Sequence, residues 1–167
     1  MTEKPDASAI VIRPAVPEDA EAIARTYMES AEHHAGLDPG RYWIPEADAI
    51  VARYREGRQH SPEERGITLV AELQGEVVGF VDTRVENSLD PMHRDLLYCH
   101  IAEIAVSRRA QSHGIGERML RAAEDWGREN GAQLARLEYL AANTRAATFY
   151  QQRMGYDVVA MMAVKQL

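Results

Sequence analysis

At 167 residues the chain has room for one domain with a sizeable core and too little for two. Hydrophobic residues make up 46% and charged residues 27%, the balance of a globular protein rather than a disordered one. Acidic residues outnumber Lys plus Arg by 26 to 19, a net charge of −7, which argues against a broad nucleic-acid footprint while leaving room for local basic clusters that hold phosphate.

The single cysteine, Cys99, allows no intrachain disulfide, and its apolar strand context points to a buried inert thiol. No window approaches about 18 consecutive apolar residues. The first nine residues read as a polar, flexible tail without the apolar core of a secretion signal. The expected setting is the cytoplasm, with no membrane insertion.

Residues Ile10 to Arg13 alternate as a strand, and Pro17-Glu18-Asp19 then suits the first turn of a helix reaching about His33. A Gly- and Pro-rich stretch carrying Tyr42 and Trp43 reads as a loop before a second helix near Glu46 to Gly57. Two β-rich runs, Ile67 to Leu73 and Val77 to Val85, flank Gln74-Gly75-Glu76 and predict an antiparallel hairpin. A polar link, roughly Glu86 to Arg94, leads into a long strand ending at Val106. An amphipathic helix from about His113 to Asn130 buries Ile115, Met119, Leu120, Ala123 and Trp126. A strand over Leu134 to Leu140, another helix and two terminal strands broken around Asp157 complete the order. The pattern predicts one α/β domain over residues 10–167, with a mixed, mostly antiparallel sheet of six to seven strands and about four helices. Its middle strands are joined by a helical crossover.

The most informative segment runs from Ile101 to Gly116, where an apolar strand feeds a helix opened by Gly114 and Gly116. A helix start presents unpaired N–H groups and the positive end of its dipole, and glycines remove side chains that would block an anion. Glu117 and Arg118 rule out the Lys-Ser/Thr pair of a nucleotide-triphosphate loop, and Met119 stands where a dinucleotide fingerprint needs its third glycine.

The remaining pattern, Gln111-Ser112-His113-Gly114-Ile115-Gly116, resembles the pyrophosphate-binding motif of the GCN5-related N-acetyltransferases: Gln or Arg, two free residues, Gly, one free residue, then Gly or Ala. Asn143, Phe149-Tyr150 and Gly155-Tyr156 follow in the order this family shows, and Ile10 to Ile23 resembles its opening strand and helix. The resemblance implies acetyl-CoA as acyl donor without a metal, and a splay between the fourth and fifth strands that holds the pantetheine arm. The implied activity is acetyl transfer to a primary amine of a small molecule or protein, by direct transfer in a ternary complex. Nucleic acid and membrane are not expected partners, and a homodimer fits family habit. The competing reading is a non-catalytic acyl-CoA-binding or regulatory module.

By that resemblance, backbone N–H groups of Gln111, Ser112, His113, Gly114, Ile115, Gly116 and Glu117 hold the diphosphate, with Arg108, Arg109 and Arg118 as possible charge partners or as solvated helix-face residues. Ile104, Ala105 and Val106 hold the pantetheine like an added strand. Asn143 contacts the coenzyme or caps a helix. Tyr150 matches the family acid that faces the coenzyme sulfur; its alternative role is a core aromatic.

Glu103 interrupts an apolar strand, where a carboxylate usually faces a cleft or a partner, and leads the candidates for the base. Glu138, on the neighbouring strand, resembles a base of relatives that acetylate protein amino termini, His100 lies near the point where the histone-acetylating branch carries its glutamate, and a water chain would need no single base. Alternation puts Glu103 on the face of Ile101 and His100 on the face of Ala102 and Ile104, unless a bulge intervenes. Tyr27, His34, Tyr42 and Trp43 lie in the region that, by the resemblance, closes over the acceptor, and are the candidates for its specificity, with ordinary packing as the other reading. Adjacent His33 and His34 point apart on a helix and, with His100, lack metal-ligand spacing.

Overall fold

The structure is a computed structural model that describes residues 10–61, 63–88 and 91–166. The expected tail over residues 1–9 lies outside the described residues. Five strands, β1 (Ile10–Pro14), β2 (Arg65–Leu73), β3 (Glu76–Asn87), β4 (Leu97–Val106) and β5 (Leu134–Leu137), form one sheet in sequence order. Neighbours are antiparallel except β4 and β5, which run parallel. That parallel pair requires a crossover, supplied by the helix between them.

Two helices, α1 (Ala20–Leu37) and α2 (Ala47–Arg55), cover one face of the sheet, where Ile23, Ile50 and Tyr54 pack with Val70, Phe80 and Ala105. On the other face lies α3 (Ile115–Glu129), whose Ile115, Met119, Leu120 and Ala123 meet Leu69, Val81, Cys99 and Ile101. Of the apolar positions read from the sequence of α3, these four are buried, while Trp126, expected on the same face, is only partly buried. A short α4 (Thr144–Ala147) continues into a π-helical turn, Thr148–Arg153.

The β2–β3 hairpin turns through Gln74 and Gly75, both with positive φ (54° and 83°), as the twist of a tight hairpin demands. Cys99 is 2% exposed, and burial pushes its thiol pKa up, so it is the inert core thiol expected. Gly127 of α3 lies directly over it: a Cβ at that position would stand 2.5 Å from both Cβ and Sγ of Cys99. Alanine normally stabilises a helix interior by about 1 kcal/mol over glycine, but overpacking costs about 1–3 kcal/mol. Gly127→Ala is therefore expected to lower the unfolding midpoint in a denaturant titration, the reverse of the usual Gly→Ala trend.

Two expectations need correction. The strand expected over Leu134 to Leu140 stops at Leu137, and no terminal strands form around Asp157 among the described residues, leaving five strands instead of six to seven. Apolar patterning after Asp157 satisfies the requirement for a strand, yet a strand exists only where a neighbour completes its ladder. No such neighbour engages this segment, and Val159 and Met161 remain more than 90% exposed. No helix is long and apolar enough to cross a membrane among the described residues.

Candidate active site

The parallel ladder between β4 and β5 covers only Tyr98–Ile101 against Leu134–Leu137, while β4 runs on beside β3 to Val106. Past Ile101 the two strands part, which is the splay the resemblance implied. A cleft of about 1160 Å³ occupies the opening, with Ala102 to Val106 along one wall and Leu137, Glu138 and Tyr139 along the other. The cleft-facing backbone groups of a strand edge of this kind can pair with an extended amide-bearing ligand. The Val106 carbonyl is already engaged, accepting from Gln111 Nε2 at 3.1 Å.

At the end of β4 the chain turns through Ser112 (φ 70°) and Gly114 (φ 74°) into α3. Left-handed residues alternating with ordinary ones curl successive N–H groups toward one point and make an anion-binding concavity. Gln111, Ser112, Gly114, Ile115, Gly116 and Glu117 all line the cleft, whereas the His113 ring turns back to the Ala110 carbonyl, 3.2 Å from Nδ1. The first helical N–H groups here have no acceptor four residues earlier.

The two glycines do different work. Gly114 supplies a left-handed N-cap that a branched residue resists by about 1–2 kcal/mol. A Cβ on Gly116 would instead rest in ordinary contact with Phe149 (3.7 Å) and Val106 (3.8 Å), so alanine fits there. Gly114→Val is expected to weaken acetyl-CoA binding about tenfold or more in calorimetric titration, with Gly116→Ala close to wild type.

Of the arginines considered for charge, Arg108 lines the cleft but is held by Glu32 at 2.6 Å. Arg109 pairs with Glu76, and Arg118 donates to the Ile10 carbonyl at 3.4 Å, so both lie outside the cleft wall. The sequence reading missed Arg145, which lines the cleft and donates to Gln111 Oε1 at 2.8 Å. The helix it sits on could be read from sequence; its contact with a residue 34 positions earlier could not.

Glu103 lies on the opposite face from the one strict alternation assigns. Asp82 pairs with Glu103 and Thr83 with Ile101, so Ala102 is an extra residue in β4, a bulge that moves every later side chain to the other face. The carboxylate of Glu103 thereby joins Asp82 beneath α1 and α2 instead of entering the α3 core with Ile101. Burial holds its pKa above the usual carboxylate range, and the charge of Asp82 adds to the rise; His34, Arg53 and the Ser30 hydroxyl oppose it. The Ser30 hydroxyl donates to Glu103 across 3.5 Å. His34 Nδ1 lies 2.8 Å from the Ser30 carbonyl, which can only accept, so that nitrogen carries a proton.

Behind Glu103, Asp82 is 2% exposed and accepts from Thr68 Oγ1 at 3.2 Å. His60 Nε2 lies 2.8 Å from Asp82 Oδ1, its ring resting on Gly66, where a Cβ would stand 2.2 Å away. Removing the Asp82 charge lets Glu103 release its proton at lower pH. Asp82→Asn is therefore expected to move the acid limb of the pH–rate profile downward, as read from kcat/KM across a buffer series.

Tyr150 comes from the π-helical turn, a wider turn often found at functional sites. It lines the cleft and packs against Tyr139 (5.4 Å between ring centroids), Phe149 (5.2 Å) and Tyr156 (6.1 Å). Burial first, then the charge of Glu103, pushes its pKa up to about 12. The hydroxyl is thus protonated at neutral pH and close enough to Glu103 to feel its charge. Asn143 also lines the cleft and caps α4, its Oδ1 accepting from the Ala146 N–H at 3.0 Å. Glu138 lines the wall opposite Glu103, just beyond the end of β5. His100 lies 3.0 Å from Glu86 and is absent from the cleft wall.

A second cavity of about 300 Å³ joins the cleft at Ser30, His34, Tyr42 and Glu103. Tyr27, His34, Tyr42 and Trp43, named from sequence as one group, all line it. Glu103 stands where the two spaces meet.

Residues 21–156 match the sequence profile of the acetyltransferase (GNAT) family, and the chain belongs to that family. An uncharacterized N-acetyltransferase of Bacillus subtilis (strain 168), YhfO, is 27% identical over 146 residues, spanning 87% of this chain and 89% of its own. The fold is similar to that of a mutant BH1408 protein from Bacillus halodurans (TM-score 0.81, 19% identity, 94% of this chain and 99% of that one). It is also similar to the aminoglycoside N-acetyltransferase AAC(6')-Iy solved with CoA (TM-score 0.68, 17% identity, 95% of this chain and 94% of that one).

Proposed function

We propose that the protein is an acetyl-CoA-dependent N-acetyltransferase that moves an acetyl group to a primary amine by direct transfer in a ternary complex. The observation that carries this reading is the placement of Glu103 and Tyr150 around one opening, a recessed carboxylate with a raised pKa near a hydroxyl that keeps its proton. These are the two proton-handling groups that the reaction needs, and the two spaces meet at one of them, Glu103.

In this reading the concavity over Gln111 to Glu117 holds the coenzyme diphosphate, and the edge of β4 over Ile104 to Val106 aligns the pantetheine amides. Glu103 takes a proton from the incoming ammonium, directly or through one water. The amine nitrogen bonds to the acetyl carbon, and a strand N–H stabilises the oxyanion. As the C–S bond breaks, the sulfur takes a proton from Tyr150 and the nitrogen gives up its second proton, which restores the Tyr150 hydroxyl and leaves an acetamide and free coenzyme thiol. Glu138, on the cleft wall opposite Glu103, is the second candidate for the base.

Calorimetric titration with acetyl-CoA and with acetyl-pantetheine tests the donor half. Saturable one-to-one binding of acetyl-CoA, lost or weakened at least tenfold without the nucleotide diphosphate, supports it. Equal affinity for both, or binding of neither by folded protein, contradicts it.

A further inference from the structure

The 300 Å³ cavity beside Glu103 has walls unlike those expected for a polycationic acceptor. Three aromatic rings, Tyr27, Tyr42 and Trp43, surround it, and Glu103 is its one carboxylate. The guanidinium of Arg41 also lines it, steadied by Asp38. A sugar or polyamine carrying several ammonium groups needs several free carboxylates, whereas the wall of this cavity offers Glu103 alone, the Asp38 carboxylate being engaged by Arg41. The volume lies at the small end of ligand pockets and suits a small body.

The apolar walls are both fixed and waiting. Tyr27 is held from behind by Phe80, their rings stacked with centroids 6.3 Å apart, and Tyr42 leans on His34 at 5.5 Å. Trp43, in contrast, is 82% exposed, beside half-exposed Ile44. Both belong to the segment between α1 and α2, which carries no helix or strand across the cavity mouth. Large exposed rings at the rim of a cavity are the usual mark of a ligand with an apolar face. An ammonium entering between them is attracted by the ring faces before it reaches Glu103.

We infer that the acceptor is a small monocationic amine with a flat apolar or aromatic body on a short arm, the body against Tyr42 and Trp43 and the amine at Glu103. This rests on the acetyltransferase reading for its chemistry, while the binding site itself stands on the cavity. It separates this chain from the relative named as an aminoglycoside N-acetyltransferase, with which it shares the fold.

Two measurements test it. The first follows Trp43 fluorescence in a Trp126→Phe background, with coenzyme A present, as 2-phenylethylamine, n-butylamine or spermidine is added. The expected result is a saturable change with 2-phenylethylamine at a concentration about tenfold or more below that for the other two. The second compares kcat/KM for acetylation of the same amines. 2-Phenylethylamine is expected to lead by about tenfold or more, and Trp43→Ala to shrink that lead. Parity among the three amines, or preference for spermidine, overturns the inference while leaving the enzyme reading intact. Tight 2-phenylethylamine binding with no acetylation of any amine overturns the enzyme reading and keeps the site. No fluorescence response to 2-phenylethylamine, in protein shown by circular dichroism to be folded, overturns the inference.

Discussion

Glu103→Gln is expected to lower kcat/KM for amine acetylation at neutral pH by about a hundredfold or more, with acetyl-CoA affinity within about twofold of wild type. General-base catalysis contributes about 10²–10⁴ in rate, and Gln keeps the size and Ser30 contact of Glu while losing the ability to take a proton. The pH dependence carries the sharper signature. In wild type, activity rises as Glu103 ionises, at a pH above the usual Glu range because burial disfavours its charged form. In the variant that limb disappears, and the residual rate climbs with pH until the free amine deprotonates in solution, near pH 10 for a Lys-like amine. A variant with unchanged kcat/KM would assign the proton to Glu138 or to water.

Tyr150→Phe is expected to lower kcat by about a hundredfold with coenzyme affinity retained, measured by steady-state kinetics beside calorimetric titration. Phe preserves the ring that packs against Tyr139, Phe149 and Tyr156, so unfolding midpoints should change little. With its pKa near 12, the wild-type hydroxyl stays protonated through the practical assay range. Any fall in wild-type activity below about pH 10 must then come from another group. If the variant turned over normally, Tyr150 would be a wall residue and the thiolate would leave without its help.

The elements around the cleft floor were readable because they are local. Gln111 to Gly116 is a contiguous pattern, Asn143 and Tyr150 follow it in a fixed order, and α3 announces its buried face by spacing alone. The acceptor side depends on single-residue events that leave no compositional trace. The Ala102 bulge is one extra small residue that the strand pattern does not mark, and it decides which face Glu103 occupies. Alternation gives Glu103 the face of Ile101 unless a bulge intervenes; the bulge is there, and the pairing with Asp82 places Glu103 under α1 and α2.

The other differences have related causes. His60 reaches Asp82 only because Gly66 leaves room for its ring, a relation between a turn and a strand that spacing does not encode. Arg145 enters the cleft through Gln111, on a separate element. The segment after Asp157 carries strand-like patterning in sequence, but pairing is a property of two segments, and β5 ends the sheet. Tyr27, His34, Tyr42 and Trp43, by contrast, are grouped through the family resemblance of their region, and they share one cavity.

The most direct test follows thiol release from acetyl-CoA across a panel of primary amines, with mass spectrometry of the products. The account requires one acetamide for each thiol released, at a rate that depends on both substrates and collapses in Glu103→Gln and Tyr150→Phe. Folded protein that binds acetyl-CoA yet releases thiol no faster with any amine than without would contradict it, and would mark the chain as a non-catalytic coenzyme-binding module.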